Sequence, residues 1–140
     1  MKRLHVIAIL IVSAALPAHA EGVSMAEFTR LSQVTECAAL TQMVDYHALP
    51  QGTALDAMQK ALRLFRAKQP QFTGQPYNPS PEDLAIDFTS TMMTATVNAS
   101  VDVDENSAQR GVRSYGAEYE QSALNVWNSH NCPIVLESVK

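Results

Sequence analysis

Three groups of residues in this chain have the types and spacing that chemistry could use: the oxygens of Asp102-Val103-Asp104-Glu105-Asn106, the histidines, and two cysteines. Asp102, Asp104 and Asn106 set oxygens at alternating positions, as the first half of a calcium loop does. The second half fails. Ser107 stands where the sharp turn needs glycine, and Arg113 where a bidentate glutamate would close the coordination shell. The stretch therefore reads as a solvated turn between helices.

His47 and His130 are the only histidines beyond residue 20. Neither has a second histidine three or four residues away, and there is no H-E-x-x-H pattern, so no paired-ligand metal site is implied. Contact with helix-end carbonyls is their expected role. The carboxylate neighbours Glu82/Asp83 and Glu118/Glu120 point to different helix faces and form no acid–base pair. No G-x-S-x-G, phosphate loop or C-x-x-C-H is present. No catalytic, cofactor-binding or metal-ligating residue is assigned, and the expectation is a protein that is not an enzyme.

The cysteines take their meaning from the start of the chain. Lys2 and Arg3 form a positive n-region, Leu4 to Ala15 an apolar stretch, and Pro17 a break before Ala18-His19-Ala20. This is a secretory signal peptide over 1–20, with cleavage predicted after Ala20. The apolar run, about 12 residues, is well short of the ~20 that a spanning helix needs. Glu21 then occupies the first mature position, where a lipid anchor would need cysteine. The expected location is the periplasm or the medium, where Cys37 and Cys132 should pair. Closing that loop would contribute about 4–5 kcal/mol in the chain-entropy account. The absence of C-x-x-C spacing argues for a staple over redox chemistry.

Residues 21–140 make one domain with enough chain for a modest core. Without Lys2 and Arg3 the formal charge of −4 becomes −6, which disfavours nucleic acid and anionic lipid as partners. No second apolar run approaches spanning length, so no membrane anchor is expected in the mature chain, and no cofactor is called for.

Helical periodicity dominates the elements that must position these residues. Ser24-Met25-Ala26-Glu27 is a capping box, followed by the stripe Phe28, Leu31, Val34, Cys37/Ala38, Thr41 and Val44, which predicts a helix to about His47. A second helix is predicted from Thr53, burying Leu55, Met58, Leu62 and Phe65 and stopped by Pro70. Residues 69–81, with four prolines, read as a long linker carrying Phe72 and Tyr77.

Ser80, Pro81, Glu82 and Asp83 start a third helix with Leu84, Phe88, Met92, Ala95 and Ala99 on its core face, ending at the 102–106 turn. A fourth is expected from about Ser107 to Ser129, with Val112, Tyr115, Tyr119, Ala123 and Val126 inward. Gly111 and Gly116 weaken its start, and Pro133 closes it. The apolar tail Ile134-Val135-Leu136 should dock on the rest. The predicted architecture is an all-α, four-helix antiparallel bundle stapled by Cys37–Cys132, with the staple near the middle of the first helix.

For function, the polarised surface is the positive signal. Lys60, Arg63, Arg66 and Lys68 crowd the second helix of an acidic protein, a docking patch suited to an acidic partner. Phe72 and Tyr77 sit on a stiff connector. The reading is an exported, non-catalytic protein that binds another protein through its surface and the 69–81 loop, using Phe72, Tyr77, Lys60, Arg63 and Arg66. In size and compartment it is comparable to toxin-neutralising immunity proteins and acid-stress chaperones, although no motif ties it to either. The competing expectation is a small-molecule carrier with its ligand among Met58, Phe65, Phe88, Met92 and Met93.

Overall fold

Ser24 caps the first helix by accepting a hydrogen bond from the Glu27 N–H, while the Glu27 carboxylate accepts from the Ser24 N–H. The computed structural model describes residues 24–140; the signal peptide predicted over 1–20 and its predicted cleavage point lie outside them. The described residues form five helices: α1 Met25–Leu40, α2 Thr53–Thr73, α3 Pro81–Arg110, α4 Ala117–Ser129 and α5 Cys132–Glu137. All are α-helical, as the periodicity implied, but the boundaries differ in informative ways.

The first helix stops at Leu40, not near His47. Thr41 caps it, its hydroxyl donating back to the Ala38 carbonyl, and the Asp45 carboxylate accepts the His47 N–H two residues on. Such local side-chain bonds give the backbone an alternative to continuing the helix. Val44 is buried nonetheless, so the apolar spacing was kept by a turn. Cys37 consequently lies in the last turn of α1, not its middle, and α5 docks there.

The second helix continues through Pro70 to Thr73, against the expectation that proline would end it, so the connector shrinks to 74–80. Near a C-terminus the missing N–H forfeits a single ladder bond, and the carbonyl it would have met can turn to water. Phe72 offsets that loss by packing edge-on to Phe28 across to α1, at 6.2 Å between ring centroids. Gly74, at φ 66°, then ends the helix.

The third helix runs unbroken through Asp102–Asn106, where a turn was expected. Ala95, Ala99, Val103 and Ser107 recur every four residues and are all buried, so breaking the helix at 102 would expose its inner stripe. The break falls at Gly111 instead, whose left-handed φ of 67° caps the helix. This shortens the fourth helix to 117–129 and leaves Tyr115 exposed outside it, where Arg113 donates to its hydroxyl at 2.8 Å. Pro133 does not close the fourth helix but opens α5 within its first turn. Of the predicted tail, Leu136 is buried and Val135 partly so, Ile134 is exposed, and Val139 supplies the second anchor.

α1 is the hub. It packs against each of the other four helices, while α2 and α3 meet each other only sparsely. Val34, Ala38 and Leu40 of α1 face Ala57, Ala61 and Phe65 of α2 and Ala99 and Val103 of α3 in one continuous core. Cys37 and Cys132 are bonded, with Cα atoms 5.4 Å apart, and both are buried. Arg30 donates to the Ser138 carbonyl and so ties the tail to α1 a second time.

Candidate partner-binding face

Tyr77 is the clearest of the predicted site residues. Its ring stands edge-on to Phe65 at 6.2 Å, and its hydroxyl donates to Asp87 Oδ2 at 2.9 Å. Burial, together with the Asp87 carboxylate, pushes the phenol above its ordinary titration range. The residue therefore acts as a strut between α2 and the first turns of α3. Phe72 is similarly engaged, with 39% of its surface left exposed.

The basic residues of α2 are divided. Lys60 pairs with Asp56 one turn earlier at 2.9 Å, and Lys68 bonds to Glu27 across the α1–α2 seam. The Lys68 bond, with that from the Ser24 N–H, holds the Glu27 carboxyl below its usual range. Arg63 borders a shallow recess with Arg30 and Lys140, and Arg66 stands exposed on the side of Tyr77. Of the five predicted residues Arg66 stands near Tyr77, while Lys60 is engaged by Asp56 and Phe72 by Phe28.

The histidines are apart in role. His47 stacks on Tyr46 at 3.7 Å beside a recess of about 570 Å³ lined by Leu49, Gly52 and Leu55. His130, capping α4, reaches Asp102 of α3 at 3.3 Å. Among the described residues no group of three His, Cys, Asp or Glu side chains is placed to hold a metal ion, and no helix is long and apolar enough to cross a membrane.

A surface missed by the sequence reading lies on α3. Its inner face is Leu84, Phe88, Met92, Ala95, Ala99 and Val103, largely as expected. On its opposite side Ile86, Met93, Val97 and Val101 are 62%, 65%, 61% and 50% exposed. Their spacing of seven, four and four keeps them on one helix stripe. A surface helix ordinarily turns polar residues to water, whereas α3 is apolar on two opposed faces.

That outer stripe borders a groove of about 450 Å³, walled by Met58 of α2 and by Phe88, Met92, Met93 and Val97 of α3. It exists because α2 and α3 both lean on α1 and scarcely on each other. Leu55, one turn before Met58, is 65% exposed and not buried as its spacing suggested, since Ala57, Ala61, Leu64 and Phe65 take the core side of α2. The signal was present in the sequence as the second periodic set on α3, hidden by assigning that helix one apolar face. No protein-family model, curated protein or solved structure matches this chain.

Proposed function

We propose that this chain is an exported, non-catalytic helical protein that binds another protein, and that the outer face of α3 with the α2–α3 groove is the surface it uses. In this reading residues 1–20 are the signal peptide, and α1 to α4 form an antiparallel four-helix bundle to which α5 is bolted by the disulfide. The single observation that carries it is the stripe Ile86, Met93, Val97 and Val101, exposed on a helix whose other face already fills the core. An exposed apolar stripe on a helix is an ordinary mark of an interaction surface. The buried Cys37–Cys132 bond supports an oxidising compartment.

The stripe also favours a macromolecular partner over a small molecule held in the core. Of the five carrier residues, Met58, Phe88, Met92 and Met93 line the α2–α3 groove, while Phe65 is 2% exposed and consumed by packing on Phe88 and Tyr77. From Ile86 to Val101 the stripe spans about 22 Å at 1.5 Å per residue, longer than a small ligand needs. The test is the native size of the exported protein in its own extract. The wild type should migrate in a complex larger than the monomer, and Met93→Gln/Val97→Gln should migrate as monomer with unchanged thermal unfolding. A wild type that is monomeric throughout, or a variant whose complex persists, contradicts the proposal.

A further inference from the structure

Resting on the protein-binding reading above, we infer that the occupant of the α2–α3 groove is a cationic amphipathic helix, about four turns long, with basic residues at its ends. The argument is charge placement around an apolar centre. α3 carries Glu82, Asp83, Asp87, Asp102, Asp104 and Glu105, and its only base is Arg110 at the last position. Asp87 is engaged by Tyr77 and Asp102 by His130. Glu82, Asp83, Asp104 and Glu105 remain exposed, Asp83 accepting a hydrogen bond from the Ser80 hydroxyl, and among the described residues none of them is in an ion pair. They stand in two acidic pairs, one at each end of the Ile86–Val101 stripe.

The cations of α2 offset that rim only at its Glu82–Asp83 end, where Arg66 and Asp83 both act on the Tyr77 phenol. Lys60 is held by Asp56, Lys68 by Glu27, and Arg63 borders the recess with Arg30. Arg66 alone is left, on the side of Tyr77.

A second copy of this chain is the natural rival, and charge decides against it. Packed antiparallel, two α3 helices would set Glu82 and Asp83 of one against Asp104 and Glu105 of the other. Packed parallel, each acidic end would meet itself. Like charges oppose both arrangements, so the apolar stripe is closed to self-association while its ends attract a cationic partner. The apolar wall suits a helix of variable sequence. Met58, Met92 and Met93 have flexible, polarizable side chains that re-pack around different apolar anchors. An amphipathic helix laid in such a groove presents anchors at i, i+3 or i+4, and i+7.

The test titrates the purified, disulfide-intact protein with two synthetic helical peptides. They share one leucine face and differ only in carrying lysine or glutamate at both ends. The lysine peptide should bind about tenfold more tightly, the size that a few exposed ion pairs supply, and the gap should narrow as salt is raised. Asp104→Asn/Glu105→Gln should shrink the gap from both sides, weakening the lysine peptide and strengthening the glutamate peptide. Equal affinity for the two peptides, or preference for the glutamate peptide, overturns the cationic assignment while leaving the binding face standing. A concentration-dependent dimer that Val97→Gln abolishes overturns it in favour of a second copy. No binding of either peptide to a monomeric protein overturns the helix-in-groove inference, and the native-size experiment then decides the broader reading independently.

Discussion

At the residue scale, Tyr77 shows how a side chain that looks presentable in sequence can be spent on the fold. Its ring packs on Phe65 and its hydroxyl on Asp87, so deletion should be felt as stability before it is felt as binding. Tyr77→Ala should cost about 2 kcal/mol, below the range for a fully buried aromatic because the residue is half-exposed, and Tyr77→Phe at most about 1. Denaturant unfolding of the two variants checks both. The phenol's raised pKa also has a sign. The folded state favours the protonated form, so its contribution is complete below the ordinary tyrosine range and is lost as pH rises through the raised value. The phenolate absorbance of wild type minus Tyr77→Phe should therefore appear at higher pH than that of an exposed tyrosine, and Asp87→Asn should bring it down.

Ser107 makes the opposite case. It is fully buried, and its hydroxyl has no hydrogen-bond partner. Leaving such a group unmet costs about 1–3 kcal/mol, so Ser107→Ala should stabilise the protein by about 1 kcal/mol. A loss of stability in denaturant unfolding would show that the hydroxyl is satisfied in solution.

At the scale of elements, the sequence was most informative where local chemistry and burial agree. The capping box at Ser24 and the Ser80-Pro81 start both stand where their residues put them, because a cap is a contact within four residues. Helix ends were less legible. Whether Pro70 stops α2 depends on Phe72 finding Phe28, forty-four positions earlier, and whether Asp102–Asn106 turns depends on Val103 and Ser107 being covered. Neither partner is local, so propensity alone misplaced both boundaries. The candidate face was missed for the same reason. The second stripe of α3 is visible as spacing, but only the contacts of the first show that α3 has spent one face and left the other.

The Gly111 cap follows from this account. It holds φ 67° at the end of α3, with open space where a side chain would begin. Gly111→Ala should therefore cost about 1 kcal/mol from backbone strain alone, with no steric component. A thermal scan showing no change would place the end of α3 elsewhere.

At the scale of the whole molecule, the disulfide and the charge distribution frame everything else. The Cys37–Cys132 bond spans 95 positions and joins the end of α1 to the start of α5, so its loop encloses α2, α3 and α4. Its replacement by Cys37→Ala/Cys132→Ala should lower stability by about 4 kcal/mol, read by denaturant unfolding of the variant beside the wild type. Retained stability would mean that the packing of Leu136 and Val139 and the Arg30–Ser138 bond hold the tail without it. Charge is segregated, with α2 basic and α3 acidic, and Lys60 and Lys68 of the basic set are absorbed in internal ion pairs. Facing outward are the apolar stripe of α3 with its acidic ends and, on α2, Arg63 and Arg66.

The most direct test of that face is site-specific photo-crosslinking in the exporting cell. A photoreactive residue at Val97 should yield one discrete adduct with another protein. The same residue at exposed, polar Gln42 should yield none. Equal labelling at both positions, or no adduct at Val97, would contradict the assignment of α3 as the binding face.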